Sequence, residues 1–366
     1  MFFRRKSQAP VIPPFNQRVA QFWAWYAAQA ERFTQTIDAG SCADLSDEVS
    51  AKMAELLPGL AWVFGPGPEK KGGHSFTLSP EGNPHRRLLT NFWLAQAPEL
   101  PGWTFYASRQ PSPDFHGGIQ LEIAGQKISA EEIWVTLHPQ RDTQLINLSA
   151  WHPCFSELPE NAAYQIIFIL LDEALGEDAV ENHIGDIHIS NDKLAKSVPI
   201  HELREEVESI CQNWEAPDAR GIYSTYRLPA PDNSFIRSDT LVGSTRHRPL
   251  INEFLSEGGR IAEDPIAGTG AQFTFLAFDT DSLPKGEEDT LRGGLEAAID
   301  EALTADHAGE ILGGAMGHNS TYVDLLLFNT TEPTIERIRA ITQRFGLKNP
   351  ALYPFFKCDG KPLHLL

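Results

Sequence analysis

The chain has 366 residues, 42% hydrophobic and 22% charged, which is long for a single core and apolar enough to fill two or three. A formal net charge of −19 argues against a broad nucleic-acid footprint, which needs a basic face. Cys42, Cys154, Cys211 and Cys358 lie far apart with no CxxC pair and no zinc-finger spacing, so they read as reduced thiols of a cytoplasmic protein.

The start, "MFFRRKSQAPVIPPF", has the charge of a secretory leader without its apolar stretch, and no run reaches the length of a membrane span. The short basic runs Arg4–Lys6, His85–Arg87 and Arg246–Arg248 read as solvated surface. Residues 15–37 form the clearest predicted helix. Phe15, Val19, Phe22, Tyr26, Ala30, Phe33 and Ile37 step by four and three along one stripe, widened by Trp23 and Trp25. That spacing marks a core-facing helix in preference to an aromatic ligand box. "LSDEVSAKMAELL" predicts a second helix, capped by Ser46, with Asp47 and Glu48 in a first turn where acids suit the dipole.

"LAWVFG" and "HSFTLSP" read as strands joined by "GPGPEKKGG". That loop lacks the GKS or GKT ending of a phosphate cradle, and Pro66 and Pro68 remove donors an anion would need. A helix over "NPHRRLLTNFWLAQAPEL" precedes short strands at "GWTFYASR", "GGIQLEIAGQ", "IWVTLHP" and "QLINLSAW". "ENAAYQIIFILLDEALGE" predicts a helix, "ENHIGDIHIS" a strand and "IHELREEVESICQNW" a further helix.

The Pro, Asp and Gly density after Gln212 marks a linker. The tail then reads in the order β-α-β-β-α-β, from "AQFTFLAFD" to "LYPFFKC", which is the ferredoxin-like arrangement. The expected fold class is α+β, with meandering, mostly antiparallel sheets and helices packed on one face. The expected domains are an N-terminal α+β domain over residues 1–212, a linker with a connecting strand and helix over 213–262, and a ferredoxin-like domain over 263–366.

The densest chemistry lies in "LLDEALGEDAVENHIGDIHI", residues 170–189. Asp172, Glu173, Glu177, Glu181, His183, Asp186 and His188 are ligand and acid–base types, but no HExxH or EF-hand spacing organises them. Gly176 is expected to end the helix. Acids at a helix C-terminus oppose its dipole, and from Asp142 to Asp192 the sequence holds no Lys or Arg to offset them. A cation or a basic partner would resolve that repulsion. "DEAL" recurs at 172–175 and 300–303, each time closing a predicted helix. "VGSTRH" lacks the nucleophile-elbow glycines, and Tyr322 and Asp324 share one strand face where they are candidates to line an inter-domain cleft.

"FWAWY", "APELPGWTFYASRQP", "ILLDEALGE" and "STYVDLLLFN" together resemble a group of uncharacterised bacterial proteins with an FWxWF-type first helix and a ferredoxin-like tail. The tail is also similar, by topology, to regulator of RNase E activity B domains. These resemblances imply a shared fold and carry over no catalytic residue. The expectation for function is a non-enzymatic cytoplasmic binding or regulatory protein, with no cofactor, meeting a basic protein partner through its acidic surface. Nucleic acid and membrane are not expected partners. The candidate binding residues are Glu173, Glu177, Glu181, His183, Tyr322 and Asp324. One alternative is a metal-dependent hydrolase with Glu177, Glu181 and His183 as ligands. The other is a small-molecule binder using the cleft near Tyr322 and Asp324.

Overall fold

The computed structural model describes residues 12–68, 72–112, 115, 118–123, 125–214, 223–228, 231–284, 286, 288–356 and 363–365. The run Arg4–Lys6, the middle of the 65–73 loop, much of the 213–230 linker and the end of "LYPFFKC" lie outside the described residues.

The chain divides into two compact units, Leu60–Ala219 and Met1–Gly59 with Arg220–Leu366. This differs from the sequential division expected from the sequence, and the first helix is the reason. In α1 (Phe15–Asp38) the aromatic stripe is interior, with Phe15, Val19, Phe22, Tyr26 and Phe33 buried. The N–H groups of Phe15 and Asn16 donate to the carbonyls of Gly270 and Phe328. Arg18 donates to the carbonyls of Gly268 and Glu55 at 2.6 Å each. The bonds to Gly268, Gly270 and Phe328 tie α1 to the C-terminal sequence. A 3₁₀ turn, Cys42–Leu45, precedes α2 (Ser46–Leu56), so Ser46 lies inside the helix and makes no cap, while Asp47 and Glu48 occupy the first turn.

In the 60–219 unit, β1 (Ala61–Pro66) and β2 (His74–Ser79) form an antiparallel hairpin. Next comes α3 (Pro84–Ala95), whose first N–H groups are capped by the Asn83 side chain, and β3 (Trp103–Tyr106) returns parallel to β2. One face of this sheet is aromatic: Phe64, Phe76, Trp103 and Phe105 pack on one another and on Trp93 of α3. By alternation, Val63, Gly65, Ser75, Thr77 and Tyr106 share the other face.

A small hairpin, β4 (Gln120–Ile123) and β5 (Gln126–Ser129), stands where one strand was expected, because Gly125 turns the chain at positive φ. Then β6 (Trp134–Gln140) and β7 (Leu145–Trp151) pair antiparallel. They are followed by α4 (Glu160–Leu175), α5 (Glu177–His183) and β8 (Ile184–Ile189), which lies parallel to β7. The β-β-α-β path of the first sheet thus recurs in the second. β9 (Val198–Pro199) adds to β6, and α6 (Leu203–Gln212) closes the unit. Ile133, Val135, Ile146 and Leu148 share a core with Ile166, Ile167, Leu170 and Leu171 of α4.

In the other unit, β10 (Ser224–Tyr226), β11 (Thr240–Thr245) and α7 (Arg248–Ser256) occupy the stretch read as a connecting segment. Both strands belong to the main sheet, β11 pairing with the tail. The tail runs β12 (Gln272–Asp279), α8 (Glu288–Thr304), β13 (Gly309–Gly317), β14 (Ser320–Leu327), α9 (Glu332–Arg344), β15 (Ala351–Pro354) and a short β16 (Leu363–His364). Its strands pair antiparallel throughout, in the order β10-β11-β13-β14-β12-β15-β16. Leu295, Ile299, Ile338 and Ile341 of α8 and α9 pack on Leu276, Val323 and Leu325.

The fold is α+β. Its sheets are mostly antiparallel, with β2–β3 and β7–β8 as parallel pairs. Both "DEAL" runs close a helix, but the first leads into α5 and a parallel strand and the second into an antiparallel hairpin. No helix among the described residues is long and apolar enough to cross a membrane.

Candidate functional site

The acidic stretch is organised by one glycine. Gly176 has φ +80° and joins α4 to α5, and a Cβ there would lie 2.7 Å from Pro111 Cδ and 2.9 Å from Pro111 N. Only glycine accepts both the left-handed φ and the close approach. The turn delivers Glu177 to the start of α5 as a buried residue, 4% exposed. Glu177 Oε1 accepts from Gly82 N at 2.8 Å. Its Oε2 accepts from Ser79 Oγ at 2.9 Å and Arg109 N at 3.1 Å. Glu177 N donates back to Arg109 O at 3.0 Å. This carboxylate therefore fastens α5 to the ends of β2 and β3, and its acceptor sites are spent on the chain itself.

The counter-charge missing from residues 142–192 comes from elsewhere in the sequence. Arg87 of α3 is buried and pairs with Asp178 and Glu181 at 2.5 Å each. Arg109 pairs with Glu81 at 2.5 Å. Arg204 of α6 donates to Ala174 O at 2.7 Å, meeting the carbonyl end of α4 where a cation suits the dipole. The basic run around Arg87 is thus not solvated surface as expected: His85 and Arg87 are interior, and so is His247, stacked on Phe273.

Two clefts flank Arg109, which lines both. The first, about 470 Å³, is bounded by Glu81, Asp172, Glu181, Phe168, Val180 and Ile187, among others. Asp172 is half-buried there. Desolvation, reinforced by the nearby Glu177 charge, pushes its carboxyl up to about 6. No described residue donates a hydrogen bond to it. Burial also pushes the Glu181 carboxyl up, against the pull of Arg87. The second cleft, about 670 Å³, lies over the open face of β1, β2 and β3 and takes Glu173, the neighbour of Asp172, into its wall.

No family model, curated protein or solved structure matches this chain.

Of the candidate residues, Glu177 and Glu181 meet at the first cleft and Glu173 lines the second, whereas His183 lines neither. Residues 181–183 are helical, so the strand begins at Ile184 and not at Glu181 as expected. Among the described residues no three His, Cys, Asp or Glu side chains gather as a metal-holding group.

Tyr322 and Asp324 do share a face of β14, but that face is interior, with exposures of 1% and 0%, and neither residue lines the two clefts beside Arg109. Asp324 forms a buried ion pair with Arg237, itself 1% exposed. Arg237 also donates to Tyr226 OH at 2.8 Å, and its guanidinium lies 5.0 to 5.3 Å from the rings of Tyr322, Phe275 and Phe355. Tyr322 OH donates to Asp239 Oδ1 at 2.6 Å and accepts from Arg237 N at 3.2 Å. The network latches the loop before β11 onto β14. Sequence reasoning passed over Arg237; the available signal was Asp324 itself, an acid inside the apolar run "VDLLLF", which needs a buried cation.

Proposed function

We propose that the protein is a non-enzymatic binding protein whose 60–219 unit receives a basic segment of a protein partner at the Asp172 cleft. The carrying observation is the half-buried Asp172 carboxylate, held among other acids with no hydrogen-bond donor from the described residues. Glu177, Glu81 and Glu173 add negative charge around it against the Arg109 guanidinium, while the neighbouring Asp178 and Glu181 are paired with Arg87. The apolar wall supports the same reading. Phe168 is 50% exposed at the cleft and its neighbour Ile169 40%, a surface on which the methylene stems of lysine or arginine pack while their charged heads reach the acids.

The metal-dependent hydrolase is less well supported by this geometry. Glu177 would have to leave its donors and Glu181 its arginine before either held an ion. The order of the tail strands supports reading that domain as ferredoxin-like, an architecture that leaves its activity open.

The test is titration of a fluorescent Lys/Arg-rich peptide, with an acidic peptide as control, against the wild type and Asp172→Asn. Binding that weakens with salt and falls about tenfold in the variant supports the reading. Equal binding of both peptides, or a variant that binds like wild type, refutes it.

A further inference from the structure

The cleft over β1, β2 and β3 presents polar groups that the fold itself does not use. Ser75 and Thr77 sit on the central strand, each 5% exposed, and both line the cleft. Neither hydroxyl has a hydrogen-bond partner among the described residues. Both residues are nearly buried but line the cavity, so their hydroxyls are free to take a ligand or solvent there. Their direction follows from β-alternation: Phe76, between them, packs into the aromatic face, and a Cβ built on Gly65 would lie 2.8 Å from Ser75 Oγ. Glycine at 65 keeps that hydroxyl uncovered. Glu173 lines the same cleft, its carboxylate also without an ion pair or hydrogen bond among the described residues, and the Tyr106 ring and Val63 supply apolar surface.

We propose that this cleft is a second binding site, taking a primary ammonium, the side chain of a lysine of the basic partner, with Glu173 as its counter-charge and Ser75 and Thr77 as further acceptors. This rests on the basic-partner reading above. The ligand class follows from what each alternative would leave unmet. An anion would face Glu173, and the guanidinium at the rim is already paired with Glu81. A neutral guest would leave the carboxylate uncompensated. An arginine presents a planar fork suited to one bidentate carboxylate. An ammonium points three donors in three directions, which suits acceptors arriving from β2 and α4 separately. The lysine stem would lie against Val63 and the Tyr106 ring, whose face attracts the charge.

The experiment uses the full chain and Nα-acetyl-lysine amide, followed by saturation-transfer NMR titration, with Nα-acetyl-arginine amide and the Nε-acetylated lysine amide as comparisons. Wild type is expected to bind the lysine probe in preference to both. Glu173→Gln should weaken it about tenfold or more, as loss of a charged hydrogen bond does. Glu205→Gln, an exposed acid of α6 that lines neither cleft, should leave it unchanged. Thr77→Val is expected to weaken binding a few-fold without lowering Tm, since it removes a hydroxyl that the unliganded fold does not pair. A purely structural Thr77 would show the reverse. Equal binding of the Nε-acetylated probe, or undiminished binding by Glu173→Gln, overturns the site. If a basic peptide binds wild type and Glu173→Gln alike, this site falls and the basic-partner reading stands. If the lysine probe binds through Glu173 but no basic peptide binds, the site stands and that reading falls. Binding of neither overturns both.

Discussion

Replacing Asp172 by asparagine removes a charge that the fold holds at a cost. Its carboxyl is pushed up to about 6 from an ordinary 3.8, first by desolvation and then by Glu177. The displacement is about two units, and at about 1.36 kcal/mol per unit a fully buried carboxylate would cost ~3 kcal/mol. Asp172 is only half-buried, so solvent screening reduces this to ~1–2 kcal/mol. The folded carboxyl binds its proton more tightly than the unfolded one. The penalty is therefore absent below about pH 4, grows as pH rises to about 6, and is complete above that. The asparagine side chain would keep the shape and abolish the charge. Urea unfolding followed by tryptophan fluorescence should show Asp172→Asn more stable than wild type near neutral pH and equal to it near the acid end of that window. A basic peptide should bind wild type more tightly as pH rises across the same interval, because the ligand draws the proton off Asp172. An equal gain in stability at both pH values, or a loss at neutral pH, would refute the reasoning.

Gly176→Ala places a Cβ against the Pro111 ring and forces φ +80° on a residue with a side chain, so it should lower Tm and expose the 160–183 helices to proteolysis. Arg237→Met alone leaves Asp324 charged and unpaired in the interior and should cost ~3–5 kcal/mol in a urea melt. The double variant with Asp324→Leu should recover much of that loss, and failure to recover would mean that Arg237 acts through its other partners, Tyr226 and Tyr322. Glu177→Ala strips the acceptor from Ser79, Gly82 and Arg109 and should cost ~3 kcal/mol, equally with and without chelator. A wild-type Tm that falls on chelation, and a variant that no longer responds, would restore the metal reading.

Local periodicity carried the elements well. The α1 stripe, the break at Gly176 and the β-α-β-β-α-β order of the tail were all legible, because each depends on residues within a few positions of one another. The Ser46 cap was misread because a 3₁₀ turn, invisible to pattern, runs straight into the helix. Partnership across the chain was not legible. Residues 142–192 looked uncompensated, yet Arg87 meets Asp178 and Glu181 from α3, and Arg204 meets the end of α4 from the following helix. Tyr322 and Asp324 were rightly placed on one face by alternation, but whether that face met solvent or Arg237 depended on a loop from before β11.

The two clefts were hidden for the same reason. Ser75 and Thr77 are ordinary strand residues in "HSFTLS" until the next strand and the end of α4 wall them in. By itself the sequence determined an acidic α+β protein with its helices and strands in order, since backbone propensity and apolar spacing act locally. Only the tertiary structure decided which acids are neutralised by the chain and which, like Asp172 and Glu173, are left facing a cavity, since charge is balanced in space and not along the sequence.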